Sequence, residues 1–273
     1  MQKSLAITDE VQSYPFGKNW EEFVERYFTE ERVRISRQHL LNFLEMRDLK
    51  GKYFLDVGCG SGLSSLAAWE AGAARIVSFD VDPDSVRTTE RIRQLRGAPA
   101  NWTVLHGSVL DRDFLATLEP ADVVYSWGVL HHTGRMWEAI RNAAGCLKAG
   151  SPFYIALYLT TPKSGYWLQV KKRYNQASPW GKRLMEWRYI IRHIILPRVV
   201  RGQNPIRVIR TYQTKRGMAF LTDVKDWLGG YPYEDATIQE VLRFCNRELH
   251  LNLINIDPGS GMVEYLFHKS TSA

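Results

Sequence analysis

The sequence predicts an α/β fold: a doubly wound, mostly parallel, Rossmann-like sheet of seven strands whose last strand runs antiparallel. Two observations carry this. Short apolar runs alternate with amphipathic helical stretches from Tyr53 to Thr161 and again from residue 236 onward, the pattern of a sheet covered by helices on both faces. In addition, the first run, YFLDVGC, leads directly into alternating glycines at Gly58, Gly60 and Gly62 and then a small-residue helix. That strand–glycine loop–helix unit lets backbone approach a ligand at the carboxyl end of a sheet.

The elements follow in order. Two helices, KNWEEFVERYF and EERVRISRQHLLNFLEM, open the chain and offer Phe23, Tyr27, Val33, Leu40, Leu41 and Leu44 for packing. YFLDVGC reads as the first strand and SGLSSLAAWEAGA as a helix stopped by Gly72. RIVSFDVD is the second strand, and Pro83 and Gly97 bracket the next helix. NWTVLHGSVL and ADVVYSWGVLHH are the third and fourth strands. A helix, RMWEAIRNAAGCLKAG, then leads to the fifth, SPFYIALYLTT. The rhythm lapses over residues 162–235 and resumes with the helix ATIQEVLRFCNREL and two strands joined at DPGSG, an antiparallel hairpin. The expected organisation is an N-terminal helical cover over 1–50, a Rossmann-like domain over 51–161 and 236–273, and a basic helical cap inserted at 162–235.

Composition bounds the function. Hydrophobic residues make up 45% and charged residues 24% of 273, as in ordinary globular domains. Cys59, Cys146 and Cys245 show no paired spacing, so neither a disulfide framework nor a metal site is expected. The first residues carry no basic-then-apolar leader, and YIIRHIILPRVV is too short and too charged to span a bilayer. The expected location is the cytoplasm, with peripheral contact at a membrane surface open. The net charge of +7 is uneven: Lys163–Arg216 holds fourteen Lys/Arg and a single acid, Glu186, whereas the remainder holds 22 bases and 28 acids.

Asp56 sits just ahead of the glycine loop, where a carboxylate would oppose a bound pyrophosphate. The loop also lacks the third glycine of a dinucleotide fingerprint in either frame, since Leu63 or Ser65 stands there. A cationic ligand fits better, because a nearby carboxylate favours a sulfonium or an ammonium. LDVGCGSG, FDVDPDS, HGSVLD and SWGVLHH, in that order at successive strand ends, resemble the motifs of class I S-adenosylmethionine-dependent methyltransferases. The resemblance covers about residues 51–161 and 236–269. It implies S-adenosyl-L-methionine as cofactor and S-adenosyl-L-homocysteine as product. It places Asp56, Gly58, Cys59, Gly60 and Gly62 around the methionine end and Asp80 on the ribose hydroxyls. Val81, Asp82, Ser108 and Val109 then fall beside adenine, and Trp127 and Gly128 along the methionine part. Asp82, just before Pro83, also reads as a helix N-cap.

For the acceptor, His131 and His132 stand at the end of the fourth strand. One of them could serve as a base, an ordinary imidazole titrating near about 6.5; neighbours on an extended segment point oppositely, so one at most faces the substrate. Tyr158, Trp227, Tyr231 and Tyr233 are the expected substrate wall, with Gly229 and Gly230 as turn residues. SWGV lacks the Asn/Asp-Pro-Pro-aromatic signature of exocyclic amino methylation of bases, and Cys146 lies on a far helix, away from pyrimidine carbon chemistry. HHTG is closer to the branch acting on small molecules. The reading is therefore methylation of a small-molecule or lipid-linked acceptor, anionic acceptors included, at oxygen. The alternatives are an RNA methyltransferase that uses the basic cap on nucleic acid, and a non-catalytic binding protein. In the cap, GYWLQVKKRYNQ, WGKRLMEWRYIIRHIILP and NPIRVIRTYQTKRG read as three helices, and Leu184, Trp187, Ile191, Ile194 and Ile195 share one face of the second. That stripe can pack on the domain or on a second copy in a homo-oligomer, meet a membrane, or frame an anionic substrate.

Overall fold

A computed structural model describes residues 14–204, 220–259 and 261–270. The chain folds as α1 (Phe16–Tyr27), α2 (Glu30–Phe43), β1 (Tyr53–Val57), α3 (Leu63–Glu70), β2 (Arg75–Asp80), α4 (Pro83–Leu95), β3 (Trp102–His106), α5 (Arg112–Ala116) and β4 (Val123–Trp127). There follow a 3-10 turn (Leu130–His132), α6 (Met136–Gly145) and β5 (Pro152–Tyr158). Next come α7 (Ser164–Gln176) and α8 (Pro179–Tyr189), a π-helical turn (Ile190–Ile195), α9 (Leu196–Val200) and α10 (Phe220–Gly229). The chain closes with α11 (Ile238–Leu249), β6 (Leu251–Pro258) and β7 (Met262–Lys269).

The seven strands form one sheet in the order β3-β2-β1-β4-β5-β7-β6, with β1 to β5 parallel and β7 antiparallel to β5 and to β6. The expected architecture is therefore present, its antiparallel strand inserted next to the sheet's edge. Strand order reverses between β1 and β4, so their carboxyl ends open a crevice there.

Period-2 alternation decides what faces that crevice. Tyr53, Leu55 and Val57 of β1 enter one core with α6 and α11, while Phe54 enters the other with α1 to α4. Asp56 shares the face of Phe54, and its parallel register partner is Ser78 of β2. Both therefore meet α3, where the Ser65 hydroxyl donates to Asp56 Oδ2 at 2.5 Å and lies 2.6 Å from Ser78 Oγ. Trp102 Nε1 completes the chain by donating to Ser78 Oγ at 2.9 Å. A polar column thus crosses an otherwise apolar layer with its buried groups satisfied.

Between β5 and α11 the described chain is helical. α7, α8 and α10 gather Tyr174, Ile190, Val224 and Leu228 around Tyr14, a small core of their own. Two of the three helices read from sequence are seen there; the third, NPIRVIRTYQTKRG, lies almost entirely outside the described residues. The second departs from expectation. Leu184, Trp187 and Ile191 are exposed, whereas Ile194 and Ile195 are half-buried against the small core. The π turn at Ile190–Ile195 explains this, because its wider winding breaks the 3.6-residue period that would have kept all five on one face. Trp227 lies in the helix α10, which ends at Gly229, expected from sequence as a turn residue.

Candidate active site

At the carboxyl edge of the sheet lies a cavity of about 780 Å³, within the range of ligand sites. Its floor is the β1–α3 loop. Gly58, Gly60 and Gly62 all have positive φ, so the loop can curl in a way side-chain-bearing residues resist. Gly58 and Cys59 both donate their N–H to the carbonyl of Phe79, which pins the loop to β2. Gly62 lies off the cavity wall; it starts α3, and a Cβ there would reach the Thr89 backbone at 3.0 Å. Its role is close packing of the loop on α4.

The acidic residues lie where β1 and β2 end. The Asp80 carboxylate accepts from the N–H of Gly60 at 3.0 Å and of Asp82 at 2.9 Å, which locks it against the loop. Asp82 is the N-cap of α4, receiving the N–H of Asp84 at 2.9 Å, and its other oxygen accepts from Gly17 N at 2.7 Å. Burial pushes Asp56 up to about 7 and Asp80 up to about 6, the Ser65 hydroxyl and the loop N–H groups opposing it. Val81, Ser108, Val109, Trp127 and Gly128 all line the cavity. Gly128 has positive φ and leaves its Cα face open to within 3.8 Å of Met262 Cε.

The two histidines part company. Their segment is a tight 3-10 turn, not the extended chain expected, and the rings lie 4.3 Å apart between centroids. His131 is fully buried, its ring tilted against Tyr158 with centroids 4.0 Å apart, is absent from the cavity wall, and has no hydrogen-bond partner on either nitrogen among the described residues. Burial and the neighbouring His132 and Lys171 hold its pKa well below the ordinary histidine range. His132 does line the cavity. Its Nδ1 lies 2.7 Å from the Pro232 carbonyl, which can only accept, so Nδ1 carries the proton and Nε2 carries the lone pair. Burial and the Lys171 ammonium lower His132 to about 3, far from the ordinary value expected from sequence.

Of the expected substrate wall, Tyr158, Trp227 and Tyr231 face the cavity. Tyr233 is not on the cavity wall; its ring lies tilted 5.4 Å from Tyr158 and its hydroxyl donates to Asp235 at 3.0 Å. Behind the wall is a group that sequence reading passed over. Lys171 of α7 is fully buried, its ammonium over the rings of Trp227 (4.6 Å), Tyr233 (5.0 Å) and Tyr158 (5.2 Å), and it donates to the Trp227 carbonyl. Burial lowers it to about 7, with Asp226 opposing. In sequence it is one base among fourteen, with nothing to set it apart. Also missed were Phe16 and Trp20 of α1, which close the cavity over the loop; a Cβ on Gly60 would meet Trp20 Nε1 at 2.9 Å. The signal was there, since Phe16, Trp20, Phe23 and Tyr27 follow helical spacing with more aromatic surface than one buried face requires. His39 of α2 also lines the cavity, its Nε2 at 3.0 Å from Glu264 and 3.1 Å from the Tyr154 hydroxyl.

A parallel sheet with a glycine loop at its switch point, an acid closing the second strand and a covered cavity beyond both define the class. A methyltransferase-domain family model matches residues 55–153, which contain the loop, Asp80, Ser108, Trp127 and the histidine turn. Residues 55–153 thus carry a methyltransferase domain, in keeping with the class I S-adenosylmethionine-dependent resemblance of the sequence motifs. Among similar proteins is the tRNA U34 carboxymethyltransferase of Methylococcus capsulatus, 30% identical over 128 residues, which are 47% of this chain and 39% of that protein. Another is the ribosomal protein L11 methyltransferase of Tolumonas auensis, 40% identical over 84 residues, 31% of this chain and 29% of the relative. The chain thus spans well under half the length of these relatives. Among solved structures, the magnesium protoporphyrin IX methyltransferase of Synechocystis PCC 6803 with bound S-adenosylhomocysteine superposes with a TM-score of 0.55 at 12% identity, covering 93% of this chain and 94% of that one. An O-methyltransferase family protein from Burkholderia thailandensis gives 0.52 at 14% identity, covering 88% and 58%. At such identities they attest the fold alone.

Proposed function

We propose that the protein transfers a methyl group from S-adenosyl-L-methionine to the oxygen of a small-molecule or lipid-linked acceptor bound beneath the helices of 162–235. The observation that carries this reading is one continuous cavity lined by the glycine loop, Asp80 and His132 together with Phe16, Trp20 and Trp227.

The residues present fit the cofactor. Asp80 would accept from the ribose hydroxyls with lone pairs left over from Gly60 and Asp82, and Val81 with Ser108 and Val109 would flank the adenine. Asp82 spends both oxygens on Asp84 and Gly17, so its contribution there is to seat the helix. Asp56, buried and answered by a single serine hydroxyl, is suited to a positive ligand. When bound, the cofactor supplies an electrophilic methyl on a sulfonium. The chain's share is alignment of the acceptor, which can account for about 7–11 kcal/mol of barrier, exclusion of water, and removal of the acceptor proton.

The carboxylates give a pH test. With Asp56 and Asp80 raised to about 7 and about 6, burial favours their neutral forms. The stability they confer on the free protein is full below the ordinary carboxylate range and is lost as pH rises through those values. A cationic ligand requires the ionised form, so binding expels protons at acid pH. Calorimetric affinity for S-adenosylmethionine should strengthen by roughly 100-fold from about pH 5.5 to about pH 7.5, most of it from Asp56, and level off above about pH 8. In Asp56→Asn that slope should shrink and the affinity fall; an unchanged slope would remove Asp56 from cofactor recognition.

The acceptor is tested by methyl transfer from radiolabelled cofactor into a host extract separated into small-molecule, lipid, RNA and protein fractions. Label among small molecules or lipids supports the proposal. Label in RNA favours a second reading, for which the tRNA-modifying relative and the basic segment speak. Cofactor binding with no label in any fraction would point to a non-catalytic binding protein.

A further inference from the structure

The outer face of α8 and the π turn is apolar along its middle and basic along its margins. Trp180, Leu184, Trp187 and Ile191 are 79%, 71%, 62% and 51% exposed. At the ordinary helical pitch they fall within a sector of about 60°. Arg183 lies on one side of that sector and Arg188 and Arg192 on the other, all three exposed. Beyond the π turn the apolar line continues through Leu196, Val199 and Val200, also exposed. The single acid of this stretch, Glu186, turns inward to accept from the Tyr174 hydroxyl at 2.5 Å. The side of the helix that serves the fold is the opposite one, where Met185, Tyr189 and Ile190 join the core around Tyr14 and Tyr174. The helix therefore has two apolar faces, and the protein's own packing uses one.

We infer that this outer face docks on an anionic lipid surface, with Trp180, Leu184, Trp187 and Ile191 seated at the boundary of headgroups and acyl chains and Arg183, Arg188 and Arg192 on the lipid phosphates. Two alternatives meet physical objections. A second copy seated face to face would bring arginine margins together with no acid to answer them, because a two-fold interface repeats the same patch. RNA would satisfy the arginines but offers Leu184 and Ile191 nothing, aliphatic side chains lacking the stacking that bases give aromatics. An interfacial helix needs both parts, an apolar centre and cationic flanks. No helix among the described residues is long and apolar enough to cross a membrane, so the contact is peripheral. It places the roof of the cavity against the lipid and holds whether or not the acceptor is itself a lipid.

The test is sedimentation of the full chain with vesicles of phosphatidylcholine alone or mixed with phosphatidylglycerol. Three arginines at roughly 1 kcal/mol each near an anionic surface predict binding to the mixed vesicles about 100-fold stronger. Arg183→Gln/Arg188→Gln/Arg192→Gln should lose that preference. Trp180→Ser/Trp187→Ser should lose about tenfold or more on both vesicle types. Exposed positions leave the fold intact, which unchanged melting temperatures would document. Calorimetric binding of S-adenosylhomocysteine to the same samples keeps failure of this docking distinct from failure of the methyl-transfer reading. Equal, negligible sedimentation with both vesicle types overturns the inference. So does a homodimer in light scattering that the tryptophan substitutions dissociate, or a preference for RNA over vesicles in direct competition.

Discussion

His132→Ala is expected to lower turnover by about 100-fold, the lower end of what a positioned base contributes, with cofactor affinity unchanged. The argument starts from the acceptor. As a hydroxyl oxygen forms its bond to the methyl carbon and the carbon–sulfur bond breaks, the oxygen becomes positive and its proton strongly acidic. A weak base suffices to take it, provided the base is neutral and aimed correctly. The Pro232 carbonyl fixes His132 in the tautomer that leaves Nε2 bare, and burial beside Lys171 keeps it neutral with a pKa near about 3. Two consequences separate this from an ordinary histidine base. At saturating cofactor, which holds the carboxylates ionised, the pH–rate profile should show no limb near about 6.5 from an imidazole. His131→Phe, which preserves the ring contact with Tyr158, should retain most of the activity. Equal turnover in His132→Ala and the parent would show that the acceptor arrives without a proton to lose.

Gly58→Ala is expected to destabilise the protein by about 2–5 kcal/mol and to abolish measurable cofactor binding. Gly58 has φ +81°, a conformation costing a residue with a Cβ roughly 1–2 kcal/mol. The new methyl would also fall 2.4 Å and 2.6 Å from the two γ carbons of Val129, overpacking worth about 1–3 kcal/mol. Val129 follows Gly128 and leads into the histidine turn, so displacing it disturbs both ends of the cavity. Thermal unfolding and calorimetry measure the two effects. Adding Val129→Ala to Gly58→Ala should recover the steric part and leave the dihedral cost. A full recovery would show that the positive φ is unimportant; none would place the strain elsewhere.

The sheet was legible because its strands are written as apolar runs of strand length, closed by residues that end strands. Gly58 after β1 and Asp80 at the end of β2 are examples, and a parallel sheet buried on both faces tolerates little else. The loop at Gly58 was equally legible, since its residues are needed for backbone conformation irrespective of distant context. The candidate site was only half legible. Asp56 reads as a residue near a cation, but its proton balance depends on burial and on the Ser65 hydroxyl, which the packing of α3 on β1 brings beside it. Which histidine faces the cavity depends on a 3-10 turn of three residues, too short to leave a periodic signal. The cap helix misled because one π turn shifts the phase of everything after it, turning a single apparent stripe into an inner and an outer one. Lys171 was invisible because burial is a tertiary property.

α1 touches both ends of the cavity. At its start Gly17 donates to Asp82 and Trp20 covers Gly60, beside the glycine loop. On its other flank Asn19 donates to Asp226 at 2.7 Å and Lys225 reaches Glu22 at 2.5 Å, both on the roof helix α10. A single rigid element is thus fastened to the floor and to the roof at once, so neither can shift without loading the other. Thermodynamic reciprocity then applies: whatever factor the first ligand adds to the affinity of the second, the second returns to the first. Cofactor and acceptor would accordingly bind as a cooperative pair, with α1 as the lever through which each senses that the other is in place.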